Sequence, residues 1–526
     1  MTTDMLRTLS YNKRIFVILC LLSILVVRSS AQTTFQKTYG DSSTTYPDVG
    51  NSLVQTTDGG FIIAGTRNNA MGFESIFLIR TNAAGDTIWT RFIKEAVIRY
   101  TATQMIATSD NNFVVTGYKS DGPTCFPFLV KFDSLGNILW NKSYDMISDA
   151  RFFTIIQLPD SGFLAGGIHG YDAFFVRTDA SGDTIWSRLY SATNYAFSIT
   201  SIAAAPDGGF VSCGYSGTGL TPDAFLMKID SSGNFIWAKS YGGSFFDYAS
   251  QLVSLNDQGY VVAATSYSFG LGGNDGDFFL FKTDTAGNLD WSKIYGGTAE
   301  DICPAVNQYP DGSLLFSGSS RSFLSGSPDI YVIKTDAAGD TLWTEVFNGL
   351  TTYDGRASVL TSDGGFAITG DYFYSDGHTF LARADASGYL GCNESRAATA
   401  LTIPNVQVNT VVMTTSQAQP IVNSYILNGS SGADVNVLCL HTETPGMERL
   451  PDLNLFPNPV TDECTARSIF KIYSVGIFNM LGEKIFAATA VNREQLTVNC
   501  KLIPKGIYFV KVETANGTAV QKLVKQ

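Results

Sequence analysis

The chain has 526 residues, of which 44% are hydrophobic and 13% aromatic but only 16% charged. That balance excludes a disordered tail protein, which needs high charge and few aromatics. The 35 Lys and Arg face 47 Asp and Glu, for a net charge of -12, and a surface this acidic disfavours nucleic acid and anionic membranes as partners.

Residues 1–31 read as a secretory signal peptide. Lys13 and Arg14 precede the apolar run 15–27, which ends at Ser29-Ser30-Ala31. These are the charged, apolar and small-residue parts of a cleavable leader. The apolar run is too short to cross a bilayer as a helix, and no later segment of the sequence reads as a membrane span. Export is expected, into a compartment that permits disulfides. The cysteines after the leader form no C-x-x-C pair and the three histidines are scattered, so neither a zinc site nor another cofactor is expected. Position alone suggests two pairings, Cys392–Cys439 and Cys464–Cys500.

From residue 32 to 392 the chain repeats. All six tryptophans, Trp89, Trp140, Trp186, Trp237, Trp291 and Trp343, fall 51, 46, 51, 54 and 52 residues apart. Nine residues before each Trp stands a base: Arg80, Lys131, Arg177, Lys228, Lys282 and Lys334, with Arg383 equally placed before Cys392. Two residues after the base is Asn82 or an Asp, and five residues after it a Gly, from Gly85 to Gly388. Asp at the first position and Gly at the fourth specify a type I turn followed by left-handed backbone. A second turn opens upstream at Asp58, Asp110, Asp160, Asp207, Asp257, Asp311 and Asp363, and leads into strands such as FIIAG. Seven residues beyond each of these Asp stands a Gly, or Ala264 in the fifth repeat. Two hairpins in a unit of about 50 residues make four strands, and such a repeated unit predicts a β-propeller, here with seven blades. The seventh unit has Cys392 where Trp belongs, while Phe35-Gln-Lys-Thr-Tyr39 at the start has no hairpin before it. Residues 33–40 are therefore expected to supply the outer strand of blade seven and close the ring.

The repeated Trp, Asp, Gly and basic residues are expected to serve the scaffold, with the basic stems lying on neighbouring aromatics. Ligand contacts are expected on the opposite rim, formed by second-to-third-strand loops and interblade loops. There Phe73, Tyr171, Phe246, Tyr267, Phe269 and Tyr374 suit stacking on a sugar or docking a peptide. Asn274, Asp275 and Asp277 offer oxygens to calcium, without an EF-hand frame. The D-x-x-G-x-x-x-W frame resembles the tryptophan-docking repeats of quinoproteins but is one residue short, and no quinone-ligand signature accompanies it. No catalytic residue stands out. The rival to a binding module is a carbohydrate-active hydrolase or lyase, which needs carboxylates converging in the rim; a structural surface-layer role is a third reading.

Residues 393–450 leave the frame and read as a partly extended spacer packed on the last blade. Residues 451–526 hold nine bases and six acids and the leader four and one, so the remainder holds 22 bases against 40 acids, or -18. Within 451–526 stand FPNPV (456–460), FNMLGEKI (478–485), KGIYFVKV (505–512) and KLVK (522–525). In this order, at the end of an exported chain, they resemble the C-terminal sorting domain of the Bacteroidetes type IX secretion system. The resemblance implies an immunoglobulin-like sandwich whose motif residues include Pro457, Asn458, Pro459, Gly482, Gly506, Tyr508, Lys522 and Lys525. It implies the secretion machinery as partner, and delivery across the outer membrane to the cell surface or the medium. The repeats resemble uncharacterised propeller repeats of such cargo, which supplies no activity. The expected protein is a secreted or surface-attached, non-enzymatic binding module for a glycan or a protein.

Overall fold

The computed structural model describes residues 33–525 except 41–47, 69–73, 96–97, 147, 218–220, 256–258, 271, 274, 324–326, 348–351, 374–377, 392–393, 396–398, 418–420, 424–427, 431–433, 443–453, 458, 480–483, 502 and 515–516. The leader and Cys392 lie outside the described residues. The rest divides into two compact units, 33–441 and 442–526.

Local turn chemistry builds the first unit. In the second hairpin of blade one, Gly85 N–H donates to Asn82 O at 3.0 Å, with Gly85 at φ +78°. In blade two the Asp133 carboxylate accepts from the amides of Leu135 and Asn137, each at 2.9 Å. The base of the frame reaches the Asp of the other turn in the same blade, as in Arg80–Asp58 (2.5 Å), Lys131–Asp110 (2.7 Å) and Arg383–Asp363 (2.6 Å), and likewise Arg177–Asp160 and Lys228–Asp207. The two turn motifs recur together because this ion pair ties one hairpin tip to the other. The expected aromatic support also occurs, Arg383 lying 5.8 Å from the Phe61 ring and Lys334 4.0 Å from Tyr309. Arg383 is buried at its head, so Asp363→Ala takes the charged partner from a desolvated guanidinium that keeps only its bond to Ala83 O and its place on Phe61. That variant is expected to lose about 1–3 kcal/mol in denaturant unfolding, whereas the exposed Asp183→Ala should lose under about 1 kcal/mol.

Each blade is a four-stranded antiparallel sheet. Six are continuous, spanning 48–94, 99–145, 150–191, 196–242, 247–296 and 301–347. The seventh joins 352–384 to Thr33–Gly40, with Phe35 opposite Arg383 and Tyr39 opposite Thr379. The orphan N-terminal strand thus closes the ring as the repeat frame predicts. Every innermost strand carries a bulge, such as Ala102/Gln104 and Ile199/Ser201. It brings a first-strand carbonyl so close to the repeated second-strand Gly that a Cβ on Gly214 would lie 1.8 Å from Ser198 O.

Blades are joined at two radii. At the outer radius a Trp covers the turn Gly of the next blade: a Cβ on Gly182 would meet the Trp140 ring at 3.1 Å, and on Gly388 the Trp343 ring at 3.0 Å. In blades two to five the Tyr four residues after the Trp donates to the same Gly, as in Tyr144 to Gly182 O (2.7 Å) and Tyr241 to Gly287 O (2.6 Å). At closure Phe35 takes the place of Trp against Gly85, and Tyr39 donates to Gly85 O at 2.7 Å. At the inner radius bulge residues bridge blades, for example Asn51 Nδ2 to Ala102 O (2.8 Å) and Thr200 Oγ1 to Ala249 O (2.8 Å). The apolar core consists of clusters that span such interfaces, such as Ile62 and Leu78 of blade one with Tyr100 and Phe113 of blade two.

Residues 394–442 depart from the expected spacer on the last blade. The described strands between 394 and 442 follow the ring and add a fifth strand to each blade, antiparallel on blades one to six. In order, Glu394–Ser395 pairs with blade six, Ala400–Thr402 with five, Gln407–Thr410 with four and Thr414–Ser416 with three. Ile421–Asn423 follows on blade two, Asn428–Ser430 on blade one and Asp434–Thr442 on blade seven, beside the N-terminal strand. The reason is the open edge of each fourth strand, which presents unpaired N–H and C=O groups that any extended segment can satisfy.

The second unit is all β. Its 16-residue strand Glu463–Phe478 pairs with Asn454–Phe456 near its start, with Gly506–Thr514 in its second half and with Lys484–Asn499 on the other side. Leu455, Val460, Val475, Tyr508, Val510 and Leu523 fill its core, consistent with an immunoglobulin-like sandwich. The Cys464–Cys500 pairing is corrected: both are free, buried thiols of this core. Cys464 lies opposite Val498, while Cys500 N–H bonds to Asp462 O, so the two sit diagonally in the ladder. The Cys392–Cys439 pairing rests on a residue outside the described set. No helix is long and apolar enough to cross a membrane among the described residues.

Candidate functional site

The turns of the two hairpins share one rim, so the opposite rim holds the variable loops. On blades five and six those loops build a face of aromatic and charged groups. Phe245 and Phe246 are 43% and 45% exposed. The Phe246 ring lies 6.5 Å from Tyr267, edge-on, and Tyr248 lies 6.4 Å from Tyr267. Tyr267 donates its hydroxyl to Glu300 at 2.9 Å, and the Arg321 guanidinium sits 3.4 Å from the other Glu300 oxygen. Burial, then the neighbouring Tyr248, raises the Tyr267 phenol, so it remains a neutral donor. Phe269 turns inward against Phe279, at 5.8 Å.

These loops are held from beneath by a repeated staple. Asp247 accepts from Gly243 N–H (2.8 Å) and Ser268 Oγ (2.7 Å), and Asp301 from Gly297 N–H and Ser322 Oγ, both at 2.9 Å. Ser268 in turn accepts from Phe245 N–H at 2.9 Å. The staple fixes the backbone that carries Phe245 and Phe246, and it places Tyr267 and Arg321 between two serines each. Glycine is required beside it, since a Cβ on Gly296 would lie 1.9 Å from Asp277 Oδ1 and 2.5 Å from Asp301 Oδ2. Burial raises the carboxyls of Asp247 and Asp301, and pushes those of Asp223, Asp329 and Asp371 up to about 6.

Phe246, Tyr267 and Phe269 come together on blade five. Tyr171 is 77% exposed at the tip of a blade-three hairpin, and no described ring contact joins it to them. Phe73, Tyr374 and Asn274 lie outside the described residues. Asp275 is exposed and Asp277 buried, and no group of three His, Cys, Asp or Glu side chains among the described residues is placed to hold a metal ion. The six tryptophans are half-buried and structural. Glu300 and Arg321 are missed by the sequence, and Phe245 and Tyr248 are not singled out from the interblade loop 242–248 that it places on this rim. The signal that carries them is a doublet: Tyr241-Gly-Gly with Asp247 and Ser266-Tyr-Ser268, then Tyr295-Gly-Gly with Asp301 and Ser320-Arg-Ser322.

Blade three brings Ser148 Oγ to 2.9 Å from His169 Nε2, with Asp149 and Asp172 nearby in charge. Burial lowers the His169 pKa and keeps the ring neutral. Among the described residues no carboxylate hydrogen-bonds the imidazole, so the orienting contact of a nucleophilic triad is missing.

In the second unit Pro457 and Pro459 are exposed, Tyr508 donates to Pro504 O at 2.9 Å, and Lys522 and Lys525 stand opposite Phe509 and Gly506. Asn458 and Gly482 lie outside the described residues. A 670 Å³ open groove here is lined by Arg467, Lys471, Arg493 and Glu494.

Residues 454–526 match the model of the secretion system C-terminal sorting domain family. No curated protein matches the chain. Among solved structures, the extracellular domain of a putative hybrid two-component system from B. thetaiotaomicron is similar at 11% identity and a TM-score of 0.37. That match covers 91% of this chain, which spans only 55% of the other. Sqt1 of Chaetomium thermophilum is similar at 11% identity and a TM-score of 0.42, over 68% of this chain and 99% of Sqt1. Sqt1 bound to the N-terminus of ribosomal protein L10 gives 13% identity and a TM-score of 0.41, over 64% and 98%. The ordered motifs, the family match and the seven closed blades together identify the chain as a β-propeller cargo of the type IX secretion system, exported to the cell surface or beyond by its C-terminal sorting domain.

Proposed function

We propose that the propeller is a non-enzymatic binding module, and that it takes a glycan or protein ligand on the loop rim of blades five and six. The observation that carries this is the exposed Phe245–Phe246 pair beside the Tyr267–Glu300–Arg321 chain, on loops fixed by the Asp–Ser staples. Aromatic faces held rigidly beside a few directed polar groups suit sugar stacking and peptide anchoring, because little conformational entropy is lost on binding. The raised carboxyls support the same reading. Asp247, Asp301, Asp329 and Asp371 are buried; Asp301 spends both oxygens on a loop amide and serines, and Asp247 spends Oδ2 in the same way. A hydrolase needs its acid and base open to the glycosidic bond. The charge of the rest of the chain favours neutral or basic ligands over anionic ones.

The test is a screen of the purified full-length chain against glycans and cell-surface proteins, followed by Phe246→Ala and Tyr267→Ala on any ligand found. Each should weaken binding by about tenfold or more with the melting curve little changed for Phe246→Ala. Binding unaffected by either change would place the ligand elsewhere. Turnover of a bound glycan would favour the hydrolase.

A further inference from the structure

We infer that the strands docked between 394 and 442 form a clasp: their docking on the outer wall locks the closed ring, so the propeller is completed by segments on both sides of its repeats. The occupied edges are the loop-rim ends of the fourth strands, at 346–347, 294–296, 239–242, 189–191, 143–145 and 92–94. Each docked strand is only two to four residues long, too short to hold by itself. In series they act differently, because each docked strand raises the effective concentration of the next.

Side chains seat the segment at defined points. Val411 and Met413 are 6% and 7% exposed in the cluster between blades three and four, while Val412 between them is 79% exposed. Val411 N–H donates to Ala238 O at 2.9 Å, and Thr399 shares a 2.6 Å hydrogen bond with Tyr331. These residues join the strand on blade four to the strand on blade three, so two apolar side chains pin the crossing from one edge to the next, and a tethering linker has no need of them.

The last strand, Asp434–Thr442, decides the consequence. It lies on the far side of Thr33–Gly40, so the closure strand is no longer an edge but an interior strand flanked by two ladders. Freeing Thr33–Gly40 by itself from the wall therefore requires breaking both. The clasp ends at Thr442 and the sorting domain begins at 454, so the N-terminal strand is locked only after all of the chain before the export domain has been made.

Two measurements on the full-length protein test this. Ser191→Cys with Thr414→Cys replaces hydroxyls that lie 3.4 Å apart. Mild oxidation should join 191 to 414 in a disulfide detectable by peptide mass, and raise the melting temperature over the reduced form. Hydrogen exchange should show 239–242 and 33–40 protected in the wild type. Val411→Pro should speed exchange in both segments roughly fivefold or more, the equivalent of one lost backbone hydrogen bond, and Val412→Asp should speed neither. A folded double-cysteine variant that fails to cross-link overturns the docking. Faster exchange at 239–242 with no change at 33–40 overturns the lock.

Discussion

Replacing Phe35 and Tyr39 together by alanine will destabilise the propeller by about 4–8 kcal/mol, more than any equal pair of surface changes. Both side chains are fully buried, and they are the aromatic pair by which blade seven grips the turn of blade one. Phe35 covers Gly85 as each Trp covers the next turn, and Tyr39 repeats the tyrosine-to-glycine bond. Lys37 completes the imitation through its ion pair with Asp86 at 2.6 Å, as Lys293 pairs with Asp340 at 2.6 Å. Truncation of both rings leaves a cavity at the one interface where the chain is discontinuous. Tyr39→Phe removes only the hydroxyl and should cost about 1–2 kcal/mol. Denaturant unfolding followed by aromatic fluorescence measures both. A double variant within about 1 kcal/mol of wild type would mean that the clasp or the remaining blades close the ring without this strand.

The second large effect is on pH. Melting temperature should rise as pH falls from 7.5 to about 4.5. Asp329 and Asp371 are pushed up to about 6 by burial, Asp371 against the pull of Arg356, and the half-buried Asp223 likewise by burial and Asp247. Between the ordinary carboxyl value and about 6 the folded chain holds these protons while the unfolded chain releases them. Their contribution is therefore fully present below the unfolded value and is lost as pH rises through the folded one. For Asp329, which is 2% exposed, that is on the order of 2–3 kcal/mol. Turn carboxylates act in the opposite sense. Asp58, held at about 2 chiefly by its bond to Arg80, supports folding above the unfolded value and loses that support as pH drops towards 2. It is exposed, so solvent screening keeps its share small. The optimum should thus lie near pH 4–5. Asp329→Asn removes one buried charge and should raise the melting temperature at pH 7.5 while flattening its dependence below 6. A fall in stability at pH 7.5 in that variant would show that the ionised form is the one the fold prefers.

The placement of the rim residues shows how far the sequence reached. Phe246, Tyr267 and Phe269 were legible as loop aromatics on the correct rim because the turn motifs fixed which connections lie opposite. Their mutual arrangement was not. Phe269 turns into the core and Tyr267 leans on Glu300, a partner 33 residues away whose identity no local pattern announces. The bases of the frame were legible as scaffold, yet their ion pairs with the upstream Asp join residues about twenty apart across two intervening strands.

The sequence by itself determined the number of blades, the position of both hairpins and the donation of the first strand to the last blade. These follow from short-range chemistry: Asp and Gly at fixed offsets set turns, and a Trp or Phe with Tyr four residues later marks one edge of a strand. Only the tertiary structure decided the path of residues 394–442. Six of their seven docked strands are two to four residues long, and Gln407–Thr410 is exposed along its whole length. Such strands are held chiefly by backbone bonds to edges that exist only once the ring has formed, and backbone bonding leaves no side-chain pattern to read.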